Sequence, residues 1–110
     1  MCIINTGEEW RVISIQNDDA VTLTITTKLL TIHNTHDLLR QLMETAHNYD
    51  KRLILDFTNV NTVDSTVISM LVEFNSHMKE NNKQFTLKNL SPFIKKTFEI
   101  LHITKYFDIE

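Results

Sequence analysis

Apolar residues along this chain either alternate with polar ones or run together in five stretches that predict β-strands. Residues 10–15 and 21–26 come first, separated by the polar run at residues 16–19. A two-residue period is typical of a half-buried strand, and a run rich in Asn and Asp is typical of a turn, so these stretches predict an antiparallel hairpin. The other predicted strands are residues 29–32, 53–57 and 84–90.

Three further stretches repeat their apolar residues every three or four positions, as amphipathic helices do. The first is predicted at about residues 35–48, with Asn34 as its N-cap, and the second at about residues 65–80. The third begins with Ser91 as N-cap and Pro92 at the first helical position. The chain is therefore expected to contain at least three helices.

The predicted order is β-β-β-α-β-α-β-α, and residues 102–107 add a short turn and a strand stub. Helices alternate with strands after the central strand at residues 53–57, which implies parallel pairing there. We therefore predict a single α/β domain of the α+β type over residues 1–110. Its mixed sheet is opened by the antiparallel hairpin, and it has three to four helices.

The second helix has an unusually wide apolar arc of about 200°. We expect Ile68, Leu71 and Val72 to belong to the core. The rest of the arc would form a flank, and a flank exposed beside Ser65 would be a surface for a partner. The flank is expected to comprise Val67, Met70 and Phe74.

Composition narrows the classes of function. The chain has 110 residues, 42% hydrophobic and 23% charged, with a formal net charge of −3, which does not favour binding to nucleic acid. Its one cysteine, Cys2, excludes an internal disulfide, and no secretory signal or membrane-spanning run is present, so a cytoplasmic protein without a membrane partner is expected. One glycine, Gly7, is too few for a glycine-rich phosphate loop.

Catalytic and metal sites find little support in the sequence. His33 and His36 have a spacing that metal ligands use, but no further ligand cluster lies near them. No nucleophile, base and orienting group occur together, so we predict neither an enzyme nor a metal or cofactor site. Asp56 ends the central strand, as the phosphoacceptor of receiver domains does, but the acidic pair such a site needs would fall in a hairpin turn.

The triplet Asp64, Ser65 and Thr66 stands where the strand-like pattern gives way to the helical one. An Asp or Ser at a helix start is most often an N-cap. The same position also suits a phosphate, because free amides and the helix dipole favour an anion there. The sequence leaves both interpretations of Ser65 open.

Residues 53–66 read LILDFTNVNTVDST, and an apolar helix, a polar turn, a strand, Ser-Pro and FEILHITKYF follow in order. In this arrangement the chain resembles STAS domains, most closely the stand-alone anti-sigma factor antagonists. The resemblance covers nearly the whole chain and is strongest over residues 51–107. Family members usually have Gly where this chain has Val67, and often Gly where it has His102.

The resemblance implies that an anti-sigma factor serine kinase binds this protein and phosphorylates Ser65. Phosphorylation would break the complex, and a metal-dependent serine phosphatase would restore it. The contacts with the partner would come from Asp64, Ser65, Thr66, Val67 and Ser69. The alternative is a STAS scaffold or transport-associated subunit that binds constitutively and uses Ser65 only as a helix cap, and Val67 favours this alternative.

Overall fold

Seven strands, three α-helices and one 3-10 turn are found in the computed structural model, which describes residues 12–16 and 19–110. The predictions for Trp10, for Cys2 and Gly7, and for residues 17–18 in the middle of the predicted turn concern positions outside these residues. The strands are β1 Val12–Gln16, β2 Ala20–Ile25, β3 Leu29–Leu30, β4 Arg52–Asp56, β5 Thr62–Val63, β6 Phe85–Lys88 and β7 Asp108–Ile109. The helices are α1 Ile32–Asn48, α2 Ser65–Glu80 and α3 Pro92–Ile100, and the 3-10 turn is Thr104–Tyr106.

The main sheet has the strand order β1-β2-β4-β6-β7. β1 runs antiparallel to β2, and each of the other neighbouring pairs is parallel. The central strand β4 has buried side chains at three consecutive positions, as expected for a strand covered on both faces. The predicted α/β fold, with a mostly parallel sheet and three helices, is confirmed.

A second sheet of only two short strands was not predicted. β3 and β5 pair in parallel, with Leu29 opposite Thr62 and Leu30 opposite Val63. α1 begins two residues after β3 ends, and α2 begins two residues after β5 ends. Because the strands are parallel and in register, the N-termini of α1 and α2 lie side by side.

The helix caps confirm most of the predicted boundaries. Ser91 caps α3 by accepting a hydrogen bond from the Ile94 amide at 3.2 Å, and α2 ends at Asn81 as its C-cap. His102 takes a left-handed conformation with φ of 57°, which His enters more readily than most residues. The cap predicted for α1 was wrong, and that helix begins earlier than expected.

The N-cap of α1 is Thr31, three residues before the predicted Asn34. The Thr31 hydroxyl accepts a hydrogen bond from the His33 amide at 3.2 Å, and the Asn34 side chain accepts one from the Thr31 amide at 3.1 Å. Asn34 therefore contributes to a capping box from inside the helix. Thr and Asn are both common N-cap residues, so residue type alone does not choose between Thr31 and Asn34. The pairing of β3 with β5 sets the end of the strand and so selects Thr31.

The flank of α2 is buried, so it does not form the partner surface considered above, and the placement of Val72 in the core was wrong. Val67 and Phe74 are 0% and 1% exposed, and Val72, expected in the core, is 38% exposed. At about 100° per residue, the buried positions of α2 lie within about 80° of the direction of Met78, whereas Val72 lies about 120° from it. The arc is wide because α2 packs on the sheet and against α1 at once: the Phe74 ring lies 4.8 Å from that of Phe85 in β6. The buried flank comprises Val67, Met70 and Phe74.

Candidate functional site

Asp64 joins the N-termini of two helices. Its Oδ1 accepts a hydrogen bond from the Val67 amide at 3.1 Å and so caps α2, to which it is the N-cap. Its Oδ2 accepts a hydrogen bond from the Ile32 amide at 2.9 Å, which is the first amide of α1. Its own amide donates to the Leu30 carbonyl at 3.1 Å. One carboxylate therefore accepts a hydrogen bond from an amide at the start of each of two helices. These amides have no partner within their own helix, and they lie at its positive end.

Ser65 is the first residue of α2, and its side chain is exposed. Asp64, not Ser65, caps the helix, and no hydrogen bond within the described part of the chain uses the Ser65 hydroxyl. Ser69 is exposed one turn further along the helix, and Thr66 is half-buried between them. We call these three residues the hydroxyl surface: Ser65, Thr66 and Ser69.

Val67 was expected to contact a partner, and its side chain does not reach the surface. It is 0% exposed and belongs to the hydrophobic core. Its amide is occupied as well, because it donates to Asp64. A valine in place of the usual glycine therefore fills space inside the molecule, and it leaves the surface around Ser65 unchanged.

Two exposed apolar side chains lie close to the joined helix starts. Ile32, whose amide is bound by Asp64, is 58% exposed, and Leu29, which pairs with Thr62, is 54% exposed. Sequence reasoning missed them because it assigned residues 29–32 to a strand with no known neighbour. With the true start of α1 known, Ile32 would have been recognised as an apolar residue at the first position of a helix, where side chains are often exposed.

An open groove of about 300 Å³ lies between α1 and α2, next to the hydroxyl surface. Thr66 and Ser69 line it from α2, and His36 lines it from α1. The complete lining is Thr35, His36, Leu39, Thr66, Ser69, Met70 and Glu73. The predicted acceptor serine, its neighbouring hydroxyls and a concave surface thus occupy one end of the α1–α2 pair.

The model of the STAS domain family matches residues 11–110 of this chain. The chain belongs to the STAS domain family. A STAS-domain containing protein of Pseudomonas aeruginosa (strain UCBPP-PA14) is 28% identical over 74 residues, which are 67% of this chain and 73% of that protein.

Solved structures share the STAS fold. A candidate anti-sigma factor antagonist from Thermotoga maritima superposes with a TM-score of 0.80 at 18% identity, over 89% of this chain and 84% of that one. SpoIIAA of Bacillus in its phosphorylated form superposes with a TM-score of 0.68 at 12% identity, over 93% of this chain and 91% of that one. At these identities the superpositions establish the fold of the domain and leave its partner open.

Asp56 of this STAS domain is held by its neighbours. Its Oδ1 accepts hydrogen bonds from the Thr58 amide at 2.9 Å, the Thr58 hydroxyl at 2.6 Å and the Asn89 side chain at 3.0 Å. Its Oδ2 accepts one from the Thr24 hydroxyl at 3.4 Å. The carboxylate ties the end of β4 to β2 and to the segment that follows β6, which is a structural use and gives the phosphoacceptor alternative no support.

These bonds set the ionisation of Asp56. Partial burial has the largest single effect and raises the pKa of the carboxyl. The hydrogen bonds from Thr58 and Asn89, with the positive charge of Lys88, together outweigh it and hold the pKa below its usual value. Because the folded-state pKa is depressed, the stabilisation is fully present above the unfolded-state pKa of about 3.9 and is lost as pH falls through the folded value.

We expect the free energy of unfolding of Asp56→Asn to fall less between pH 7 and pH 3 than that of the wild type. The amide oxygen can still accept the bonds from Thr58 and Asn89, but the charge is gone, so the cost at pH 7 should stay below about 1 kcal/mol at this half-exposed, screened position. Urea unfolding from pH 7 to pH 3 measures it, with Asp50→Asn at an exposed carboxylate as control. If the free energy of unfolding decreased equally with pH in Asp56→Asn and the wild type, the prediction would be wrong.

No helix among the described residues is long and apolar enough to cross a membrane. Within the same residues no three His, Cys, Asp or Glu side chains come together as a metal site would require. His33 and His36 lie exposed on the first two turns of α1, and only His36 lines the groove.

Proposed function

We propose that this STAS domain is an anti-sigma factor antagonist of a bacterial partner-switching pathway. It binds an anti-sigma factor serine kinase, which phosphorylates Ser65, and it acts by binding and not by catalysis. The observation that carries the proposal is the state of Ser65: an exposed hydroxyl, not used as a cap, at the first position of a helix whose start is held rigid by Asp64.

The fold would tolerate a phosphate at this position. The amides of Ser65 and Thr66 precede the first internal bonds of α2, so they remain available to an anion. The Val67 amide is already taken by Asp64, and the Ile68 amide donates to the Asp64 carbonyl at 3.2 Å. Phosphorylation would therefore add roughly −1.5 to −2 charges beside Asp64 while leaving the helix cap in place.

Similar proteins support this role. The structural neighbour SpoIIAA is known in an unphosphorylated form, described as an anti-sigma factor antagonist, and in a phosphorylated form. By analogy, the unphosphorylated domain binds the kinase, the phosphorylated domain does not, and a metal-dependent serine phosphatase removes the phosphate in the cytoplasm. The binding surface would consist of the hydroxyl surface with Asp64 and the exposed side chains of Leu29 and Ile32.

The test is incubation with the cognate kinase and ATP, followed by intact-mass measurement. We expect one phosphate on the wild type and none on Ser65→Ala, whereas Ser76→Ala, which removes an exposed hydroxyl about three turns further along α2 and outside the proposed contact, should be phosphorylated like the wild type. Addition of the phosphatase with its metal ion should return the original mass. A phosphate retained by Ser65→Ala would overturn the assignment, and kinase binding without any phosphorylation would instead support a constitutive scaffold.

A further inference from the structure

The groove between α1 and α2 has a chemical character of its own. Its buried base is formed by Met70, and the half-buried Leu39 flanks it. Hydroxyl groups stand along it, and they belong to Thr35, Thr66 and Ser69. A long side chain with an aliphatic stem and a polar end would find an apolar base for the stem and oxygen acceptors for the end.

Glu73 gives the groove its charge. It is exposed on α2, one turn beyond Ser69, and it is the one lining residue with a formal charge at pH 7 when His is counted as neutral. No lysine or arginine lines the groove, and within the described residues Glu73 takes part in no ion pair. The groove is therefore complementary to a cation.

Other occupants fit less well. An anion would be repelled by Glu73, and a purely apolar side chain would cover the carboxylate and the hydroxyls of Thr66 and Ser69 without pairing them, whereas the Thr35 hydroxyl already donates to the Ile32 carbonyl at 2.9 Å. Lysine offers a compact point charge, whereas arginine offers a planar fork of five N–H donors that can reach a carboxylate and a hydroxyl together. The volume of about 300 Å³ is at the lower end for small-ligand pockets and suits one such side chain.

We propose that the α1–α2 groove receives an arginine side chain of the protein's partner, with Glu73 as the residue that selects it. Glu73 pairs with the guanidinium, the hydroxyls of Thr66 and Ser69 accept further hydrogen bonds, and Met70 supports the stem. This inference rests on the proposed function for the identity of the partner, a serine kinase that presents the arginine. It places a specificity contact about two turns along α2 from Ser65.

The first experiment tests the groove without the kinase. N-acetyl-arginine amide is titrated into the full chain while amide NMR signals are followed, and N-acetyl-citrulline amide, which has the same shape without the charge, serves as the matched ligand. We expect the arginine compound alone to shift the groove signals, and Glu73→Gln to abolish the shift. Glu80→Gln, on the same exposed face two turns further along, should respond like the wild type.

Each other outcome of the titration overturns the inference. Equal shifts with the citrulline compound would mean that charge does not select the occupant, and no shift would mean that the groove does not bind the side chain. Groove signals that move with protein concentration alone would show that a second copy of the chain occupies it. None of these results bears on whether Ser65 is phosphorylated.

The second experiment uses the kinase. We expect Glu73→Gln to weaken kinase binding about 2- to 5-fold, the range of a partly exposed ion pair, and to reduce its salt dependence, with Glu80→Gln unchanged. If the wild type does not bind the kinase, the proposed function fails. If the wild type binds, Ser65 is phosphorylated and Glu73→Gln binds like the wild type, only the groove inference fails.

Discussion

Ser65→Glu is expected to weaken binding to the anti-sigma factor kinase by at least about 100-fold, or roughly 2.7 kcal/mol. The new carboxylate would lie beside Asp64, whose own charge is already fixed between two helix ends. In the proposed complex, Ser65 would have to approach the γ-phosphate of ATP, so a negative charge at this position would meet another one. Like charges brought together in an interface cost several kcal/mol.

The control for this prediction is Ser76→Glu. Ser76 is exposed on nearly the same face of α2, eleven residues or about 16 Å further along the helix. The Ser76→Glu substitution adds the same charge outside the proposed contact, and it should leave the affinity for the kinase within about 2-fold of that of the wild type. Isothermal titration with the kinase measures both variants, and circular dichroism verifies the fold. Equal affinities for Ser65→Glu and wild type would exclude a charge switch at Ser65.

Asp64→Ala is expected to lower the free energy of unfolding by about 2 to 3 kcal/mol. A single lost N-cap typically costs about 1 kcal/mol. Here one carboxylate serves the Val67 amide of α2 and the Ile32 amide of α1, so two helix ends lose their acceptor together. The N-termini of both helices are held by the same short β3–β5 sheet, and the loss should loosen that junction.

Two further variants separate the roles of Asp64. Ser91→Ala removes the cap of one helix, α3, together with the exposed hydrogen bond that the Ser91 hydroxyl donates to the Asn61 carbonyl, and should cost about 1 kcal/mol. Asp64→Asn keeps one carbonyl oxygen as acceptor and turns an N–H₂ group towards the other amide, so its cost should fall between the two. Urea denaturation measures all three. If Asp64→Ala cost no more than Ser91→Ala, the bond to α1 would contribute nothing to stability.

The residue that departs from the usual STAS pattern illustrates how position changes an interpretation. In the sequence, Val67 stands two residues after Ser65, the proposed acceptor, and it was expected to face a partner. In the fold its side chain is buried while Ser65 and Ser69, two residues to either side, are exposed. The buried position removes Val67 as an argument against a partner at Ser65, because the substitution changes the core and not the proposed surface.

Local signals in the sequence were sufficient for the bounds of α2, the cap and proline that start α3, the asparagine that ends α2 and the strand at β4. These features depend on residues within one or two turns of each other, where periodicity and capping preferences act. The same signals placed Asp64 and Ser65 at the start of α2. The position of the Ser65 hydroxyl at the start of α2 was therefore determined by the sequence alone.

Only the tertiary structure decided what surrounds that hydroxyl. The pairing of β3 with β5 joins residues more than 30 positions apart, and it sets the start of α1 at Ile32 and brings Asp64 to that helix as well as its own. The fold buries Val67 in the core, and the contact of α1 with α2 forms the groove beside Glu73. Two-residue strands and contacts between distant segments leave no periodic trace in the sequence, because their energy comes from residues that become neighbours only when the chain has folded.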